Sequence, residues 1–533
     1  MSTLDQSSAD VAIIGSGFAG SLTALALRSL GYSVVLLERG HHPRFAIGES
    51  STPLANLLLE ELSDRYGLTR VRPLSKWGTW QRHHPHLGCG LKRGFSFFRH
   101  DPGEPFRDDR HHARQLLVAA NPHDAIGDTH WYRSDVDAFL AREAERAGAE
   151  YLDGVELAGI RCEPDGVDME GHRGTRALRV RAGFVIDASG TRGFLHRTLG
   201  LAEGPLTWLA PTQATYTHFT GVRRFDETQN AGFDEQPPFP IDAAALHHVF
   251  PGGWVWVLRF AGGITSAGAA VTDPVAAAVR LWEPGGWERL LATLPSVQAQ
   301  FRDARPIRPF VHAPRLAFRS AVVSGSRWAL LPSAAGVIDP LLSTGFPLTL
   351  LGILRLVRIF EEHAPASEPF GQALARYARQ TLAELDATEQ LVGALYASME
   401  DFERFKRLAL LYFAAASYSE AAKRLGRDEA AHGFLLCDDP IFGSELRACA
   451  ATACTAMTGG DRDALFARID RAVQPFDVAG LGDRSRRDWY PVDADDLRAA
   501  APLLGASPAE IEALLERCGF AGAHVAGGAG TAR

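Results

Sequence analysis

Lysine is rare in this chain, so the position of each lysine is informative. The chain has 55 lysines and arginines together, and the only lysines are Lys76, Lys92, Lys406 and Lys423. An amine can be neutral for part of a reaction cycle, whereas arginine, with a pKa above about 12, cannot. Lys406 and Lys423 fall in a helical pattern and are expected to be surface charges. Lys76 is the first candidate for a reactive amine and Lys92 is its competitor. The alternative for Lys76 is an exposed surface charge.

A glycine-rich turn near the start of the chain is the second feature with chemical meaning. Residues 10–14 are an apolar strand that runs directly into Gly15-Ser-Gly-Phe-Ala-Gly20, and helical spacing follows over residues 19–30. A second apolar strand covers residues 33–37. This order predicts a βαβ unit of the Rossmann type, with parallel strands buried on both faces.

The polar residues of this unit predict a dinucleotide site. Gly15, Gly17 and Gly20 form a GxGxxG turn, and Glu38 ends the second strand at the usual distance of about 20 residues. Glycines let the backbone approach a pyrophosphate at the helix N-terminus, where free N–H groups favour negative charge. Glu38 would accept hydrogen bonds from the ribose hydroxyls and repel a 2′-phosphate. The alternative is a tight turn without a ligand.

Two further turns precede helices. Thr52 and Pro53 form a cap and first-turn pair, which leaves the preceding Gly48-Glu49-Ser50 unexplained by helix capping. Ser343-Thr344-Gly345 leads into the apolar helix predicted for residues 346–360. Backbone N–H groups at such a turn would bind an anion or a flavin carbonyl.

Composition excludes several classes of protein. The chain has 533 residues, 46% of them hydrophobic and 22% charged, which is typical of a globular protein of two to four domains. Its net charge of −8, without a basic run, argues against nucleic acid and anionic membranes as partners. Six cysteines without a CxxC pair, and a polar N-terminus, indicate a reduced cytoplasmic chain. His83, His84 and His86 are expected to be solvated or to line a pocket, so no metal site is predicted.

Five segments of the sequence resemble the flavin-dependent halogenases, a family within the FAD-dependent monooxygenase superfamily. In the family's order they are GSGFAG, PRFAIGESSTP, YRSDVDAFL, FVIDASG and AAGVIDPLLSTGFPL. The strand that contains Trp254 and Trp256 looks like the family's Trp-x-Trp strand, although a plain core stripe would look the same. The segments extend from residue 10 to about residue 360, roughly two-thirds of the chain.

The resemblance implies an oxidoreductase of secondary metabolism. Reduced FAD from a separate flavin reductase, O2 and a halide ion yield hypohalous acid, which reaches a lysine beside an electron-rich aromatic small molecule. The single complete GxGxxG is consistent with an external reductase. The substrate is either free or tethered to a carrier protein.

The resemblance also implies roles for individual residues. Lys76 would be the catalytic lysine. The expected cofactor-binding residues are Gly15, Gly17, Gly20, Glu38, Gly48, Glu49, Ser50, Arg133, Asp187, Ser343, Thr344 and Gly345. Among these, the first four would hold the ADP half, Arg133 would brace the cofactor, and the last three would present amides to halide and flavin.

The fold implied is α/β. A Rossmann-like FAD-binding domain is expected over residues 1–200 and 320–365, and a mixed β-sheet substrate domain over residues 201–319. Residues 74–104 are expected to contribute to the substrate side. A helical C-terminal region is expected over residues 366–533.

Three positions depart from the family pattern. Arg259 stands where a proline ends the Trp-x-Trp motif, and Ser333 stands where an aspartate normally grips the ribityl chain. Leu342 replaces a glutamate found in tryptophan halogenases, which leaves an indole without a partner for its developing positive charge. These departures favour a phenolic or polyketide-like arene over free tryptophan.

Two alternatives stay open at this stage. Arg259 and Ser333 are compatible with a non-halogenating FAD-dependent monooxygenase or reductase of the same superfamily. The altered ribityl site is also compatible with a flavin-fold protein that has lost catalysis and binds a partner through its helical C-terminal region.

Overall fold

Two large β-sheets and a short two-stranded pair carry the residues singled out above. The computed structural model describes residues 5–228, 235–430, 433–455 and 459–520. The strands in these ranges are β1 (Asp5–Ile14), β2 (Val34–Leu37), β3 (Cys89–Lys92), β4 (Gly94–Arg99), β5 (Gln115–Ala119), β6 (Asp128–Trp131), β7 (Glu150–Leu152), β8 (Val155–Glu163), β9 (Gly166–Arg173), β10 (Arg176–Asp187), β11 (Thr212–Thr220), β12 (Ala245–Phe250), β13 (Gly253–Arg259), β14 (Ile264–Thr272), β15 (Arg305–Pro306), β16 (Val311–Ala313), β17 (Phe318–Arg319), β18 (Ser324–Gly325), β19 (Trp328–Leu330), β20 (Gly336–Val337) and β21 (Trp489–Tyr490).

Helices connect the strands and cover both sheets. Within the described ranges they are α1 (Phe18–Ser29), α2 (Pro53–Arg65), α3 (Trp77–His83), α4 (Arg133–Arg146), α5 (Phe194–Thr198), α6 (Phe225–Thr228), α7 (Asp273–Ala278), α8 (Gly286–Ala292), α9 (Pro295–Gln300), α10 (Pro332–Ala335), α11 (Gly345–Glu362), α12 (Glu368–Ala397), α13 (Phe402–Arg424), α14 (Phe442–Ala453), α15 (Gly459–Val473), α16 (Ala494–Ala499) and α17 (Pro508–Arg517).

The first sheet is built around β1. Its strand order is β18-β19-β10-β1-β2-β7, and β1 pairs in parallel with β2 and β10. The crossover from β1 to β2 is α1, so the α/β class and the Rossmann-like unit are confirmed. β1 begins at Asp5 rather than at residue 10, because the polar first half of the strand also pairs with β10.

The second sheet is mixed and has the order β15-β11-β14-β13-β12-β4-β5-β21. β4 pairs in parallel with β12 and antiparallel with β5, so residues 94–99 belong to the same sheet as β11 to β14. β21, which lies within the helical C-terminal region, also joins this sheet at β5. The pairing of β5 with β21 was not predicted from the sequence.

α11 lies in the interior and packs against α1, α2 and α12. In the described part of the chain, residues 341–362 are the one helical segment with the length and hydropathy of a membrane span, and most of this segment is buried inside the protein. The helix is strongly apolar because it is surrounded by the core of the first sheet and its neighbouring helices.

Candidate active site

The turn after β1 requires glycine. Gly15 has a φ of +100°, and a Cβ there would lie 2.6 Å from the Ala188 carbonyl oxygen. A Cβ on Gly20 would lie 1.9 Å from the Gly15 carbonyl oxygen. The turn therefore brings the N-terminus of α1 close to the ends of β1 and β10, as a phosphate-binding turn requires.

Glu38 closes the glycine turn from the end of β2. Its Oε2 accepts hydrogen bonds from the Ser16 amide and hydroxyl, both at 3.0 Å, and its Oε1 accepts one from the Gly40 amide. Burial opposes ionisation, but the Arg44 charge and these donors outweigh burial and lower the pKa of Glu38. The carboxylate is thus held ionised beside the glycine turn.

Arg44 supplies a cation to the same turn and was not singled out from the sequence. Its Nη2 lies 3.4 Å from Glu38 Oε2 and 3.3 Å from where a Gly17 Cβ would be. Its Nε is buried and has no acceptor within the part of the chain that the structure describes. An unpaired guanidinium N–H beside a helix N-terminus fits a pyrophosphate, so the residues present fit the ADP half of FAD.

Arg133 connects the glycine turn to the segment before α2. Its Nε and Nη2 donate to the two carboxylate oxygens of Asp137 at 2.8 Å, and its Nη1 donates to the carbonyls of Ile47 and Gly48 at 3.0 Å. Asp137 also accepts from the Phe18 amide at the start of α1. The hydrogen bonds of Arg133 therefore brace the chain around the expected cofactor.

Asp187 stabilises the turn after β10. Its carboxylate accepts hydrogen bonds from the Ser189 amide and hydroxyl and from the Leu195 amide, at distances of 2.6–2.8 Å. Burial raises the pKa of Asp187. Asp187 therefore fixes the turn that contains Ala188, and the Ala188 carbonyl lies against Gly15.

The Ser343-Thr344-Gly345 turn has an unusual backbone. Leu342 and Ser343 have φ values of 64° and 55°, a left-handed conformation that costs a non-glycine residue about 1–3 kcal/mol. α11 begins at Gly345, so the amides of its first turn have no partner within the helix. Among the described residues, no atom outside the adjoining chain lies within 4 Å of a Cβ built on Gly345, and the open space fits an anion or a flavin carbonyl.

A chain of hydrogen bonds holds this turn in place. The Asp339 carboxylate accepts from the Leu341 amide and from the Tyr396 hydroxyl, each at 2.9 Å. The Trp254 indole in turn donates to the Tyr396 oxygen at 3.1 Å. Trp254 packs within the core beside Trp256, yet it also connects the second sheet to the turn through its indole N–H.

Lys92 is the lysine that reaches both expected flavin segments. It is completely buried, and its Nζ donates to Ser50 Oγ at 3.0 Å, to the Ser51 carbonyl at 2.7 Å and to Ser343 Oγ at 3.5 Å. The Nζ also lies 3.8 Å from the centroid of the Phe95 ring. Burial lowers the pKa of Lys92, which favours the neutral amine.

Lys76 has different surroundings. It lies just before α3, its side chain is 26% exposed, and its Nζ pairs with Glu60 Oε1 at 2.9 Å. The hydrogen bonds that join a lysine to Ser50 and Ser343 come from Lys92, so the geometry favours Lys92 over Lys76 as the reactive amine. A signal was present in the sequence, since Lys92 ends a short strand directly before an aromatic strand.

A buried pair lies near Gly48 and Ser50. Glu49 Oε1 and His218 Nε2 are 2.9 Å apart, and both side chains are 1% exposed. Glu49 Oε2 and His218 Nδ1 have no partner among the described residues. These free polar atoms fit a polar group of the cofactor. His218 on β11 was not identified from the sequence, because nothing local marks it as a partner of Glu49.

A cavity of about 210 Å³ lies against Phe95. Its lining is mostly apolar and comes from β5, α13 and the C-terminal helices. The side chains with polar groups that line it include Thr52, Lys76, Asn121, Tyr412, Ser417, Glu420, Arg424 and Asp493. Because Phe95 both lines this cavity and contacts Lys92, the buried amine lies between the expected flavin site and a space that fits an aromatic ring.

The three departures from the family pattern have different surroundings. Arg259 pairs with Asp242 at 3.0 Å and donates to the Val222 carbonyl, so it joins strand to loop within the second sheet. Ser333 lies in the short helix α10 after Pro332. Leu342 is buried in the core and places no carboxylate beside the Ser343 turn.

Comparison with known proteins identifies the family. Residues 10–222 match the family described as FAD dependent oxidoreductase, and residues 129–405 match the family described as Tryptophan halogenase. Monodechloroaminopyrrolnitrin halogenase PrnC of Pseudomonas fluorescens is 30% identical over 418 residues, which are 76% of this chain and 71% of that protein. Tetracycline 7-halogenase of Kitasatospora aureofaciens is 29% identical over 419 residues, 76% and 73% of the two chains.

A solved structure supports the same relationship over nearly the whole chain. The halogenase PltM in complex with phloroglucinol and FAD has a TM-score of 0.81 and 28% sequence identity, and the match covers 90% of this chain and 99% of that one. The two family matches, over residues 10–222 and 129–405, include the Gly15 turn, Lys92 and the Ser343 turn. The chain therefore belongs to the tryptophan halogenase family and is a flavin-dependent halogenase.

Proposed function

We propose that this enzyme uses reduced FAD, O2 and halide to halogenate an electron-rich phenolic or polyketide-like arene, with Lys92 delivering the halogen. One observation carries the proposal: Lys92 Nζ is hydrogen-bonded to Ser50 while it lies over Phe95, a wall of the cavity. The amine thus contacts the expected flavin segment on one side and, on the other, the Phe95 ring that lines the expected substrate space.

Cofactor binding would be divided among three parts of the chain. Gly15, Gly17, Gly20, Glu38 and Arg44 would hold the ADP half at the first turn. The segment Gly48-Glu49-Ser50 would lie against the flavin ring, and the backbone amides of the Ser343-Thr344-Gly345 turn would bind halide and flavin. Reduced FAD from a separate flavin reductase would activate O2, and O2 is the oxidant that converts halide to hypohalous acid.

Lys92 would act as an amine that is shielded from solvent. Its side chain is completely buried, and its N–H groups point to Ser50, the Ser51 carbonyl and Ser343. Burial favours the neutral form, whose lone pair can bind the halogen of hypohalous acid or accept a hydrogen bond from it. The neutral amine keeps two N–H groups, so it can donate to two of these three oxygens, and its lone pair takes the direction that the released proton had.

The lining of the cavity supports a hydroxylated arene as the substrate. Apolar side chains such as Val118 and Phe413 offer contact surface to a ring, and the Glu420 carboxylate and the Asn121 amide can bind a hydroxyl group. PltM was solved with phloroglucinol, and one relative is a tetracycline halogenase. Leu342 supplies no carboxylate beside the Ser343 turn, so free tryptophan is not expected to react.

A reductase-coupled assay with chloride and bromide tests this proposal. Phenols, a polyketide phenol, pyrroles free and tethered to a carrier protein, and indoles are offered, and products are read by mass spectrometry. We expect halogenated phenolic products from the wild type and none from Lys92→Met, while hypohalous acid is still released and detected by a chemical trap. Lys76→Met is the matched control and should retain halogenation.

Three results would overturn parts of this proposal. Normal halogenation by Lys92→Met, or loss only in Lys76→Met, would reject Lys92 as the amine. Efficient halogenation of free tryptophan would reject the substrate class. Hydroxylated products without a halogen isotope pattern would favour the non-halogenating monooxygenase.

A further inference from the structure

Lys92 has a carboxylate opposite it that the sequence analysis did not consider. β3 and β6 pair antiparallel, and Lys92 is the register partner of Asp128. Side chains of directly opposed residues lie on the same face of a strand pair, with Cβ atoms about 4.5–5.5 Å apart. Lys92 is 0% exposed and Asp128 is 2% exposed, so the amine and the carboxyl group face each other away from water.

Asp128 is held in a fixed orientation. Asn56 on α2 donates from Nδ2 to Asp128 Oδ1 at 2.7 Å, and the Asn56 side chain is itself buried. Asn56 Oδ1 has no donor in the described part of the chain, so this amide serves the carboxylate alone. The N–H groups of Lys92 are directed to Ser50, Ser51 and Ser343, and Asp128 therefore acts on the amine through its charge.

Two histidines and a tyrosine near this pair carry little charge at neutral pH. Burial, together with the nearby ammonium, lowers the pKa of His130 on β6 and of His247 on β12 to about 3. Burial and the Asp128 charge raise the pKa of Tyr412 on α13 above its usual range. Glu420, also on α13, faces Asp128 from the cavity and is the second carboxylate of this region.

We propose that Asp128 is a positioning residue for Lys92: its carboxylate, fixed opposite the amine, determines how much of Lys92 is in the neutral, reactive form. The inference rests on the proposed role of Lys92 as the amine. An anionic Asp128 stabilises the ammonium and so delays formation of the amine as pH rises. Burial alone would release the proton at lower pH, so burial and the Asp128 charge move the Lys92 titration in opposite directions.

The direct test follows the protonation of Lys92 without any turnover. The chain has four lysines, so a protein labelled with 13C at lysine Cε gives a spectrum that Lys92→Met can assign. We expect the midpoint of the Lys92 titration to fall by about one pH unit or more in Asp128→Asn. Asp128→Glu restores the charge and should bring the midpoint back toward the wild-type value.

The same variants are examined in turnover. The acid limb of the kcat profile should move to lower pH in Asp128→Asn, while the yield of trapped hypohalous acid stays constant. Glu60→Gln removes the carboxylate that pairs with Lys76, which lines the cavity, and should keep the wild-type midpoint of Lys92. If Asp128→Asn does not fold, Asn56→Ala should move the midpoint in the same direction by less, because the carboxylate loses a donor that favours its anion.

The outcomes separate this inference from the proposed function. An unchanged Lys92 titration in Asp128→Asn and Asn56→Ala would overturn the role of Asp128, even if Lys92→Met is inactive. Halogenation by Lys92→Met would overturn the proposed function, while a shifted titration would still show that Asp128 controls the protonation of Lys92.

Discussion

Lys92 Nζ lies 3.0 Å from the Ser50 hydroxyl, and both side chains are buried. Ser50 also forms an isolated β-bridge to His130 on β6, so the expected flavin segment is connected both to the β3–β6 pair and to the amine. Phe95, whose ring the amine contacts, lies at the start of β4 in the second sheet. A displacement of Ser50 would therefore move the amine relative to the cavity.

Replacing Lys92 by arginine should abolish halogenation almost as completely as replacing it by methionine. Arginine keeps the positive charge but cannot become neutral, and its larger head group does not fit the fully buried site. Products are measured by mass spectrometry and released hypohalous acid by a trap, with Lys76→Arg as the matched control. Halogenation by Lys92→Arg near the wild-type rate would point to a purely electrostatic role.

Arg44→Met should weaken FAD binding by about 10- to 100-fold, the effect of losing charge-assisted hydrogen bonds of about 1.5–3 kcal/mol. The reason is the unpaired Nε beside the N-terminus of α1. Affinity is measured by flavin fluorescence titration of the apoprotein. Arg358→Met removes a half-exposed arginine from α11 and should leave the affinity unchanged. Equal affinities in all three proteins would show that Arg44 does not contact the cofactor.

Local patterns in the sequence were sufficient for the Rossmann-like unit. The Gly15 turn, α1 and β2 follow from strand and helix periodicity and from close backbone contacts that only glycine permits. Lys92 and Asp128 could not be paired in advance, because their relationship depends on strands separated by a long connection. His218 likewise meets Glu49 only after the second sheet has formed.

FAD is expected to bind weakly and to be partly lost during purification. Ser333 replaces an aspartate that would supply a charge-assisted hydrogen bond to the ribityl chain, worth about 1.5–3 kcal/mol. Ser333→Asp should tighten binding if the first turn of α10 after Pro332 keeps its shape. Fluorescence titration checks both statements. A sub-micromolar dissociation constant for the wild type would contradict the first of them.

Asp339 should make the stability of the enzyme depend on pH. Burial raises the pKa of Asp339 to about 7, whereas the unfolded chain has a value near 3.9. The folded state therefore holds this proton more tightly, and its contribution to stability is complete below about pH 4 and is lost as pH rises through 7. At about 1.36 kcal/mol for each pKa unit, the loss is on the order of 4 kcal/mol.

Asp339→Asn cannot titrate and should lack this dependence. We expect the free energy of unfolding of the wild type, relative to Asp339→Asn, to decrease between pH 5 and pH 8 in urea titrations. Tyr396→Phe removes a donor that favours the ionised carboxylate, so the decrease should extend to higher pH in that variant. A difference between wild type and Asp339→Asn that stays constant from pH 5 to pH 8 would show that Asp339 keeps an ordinary pKa despite its burial.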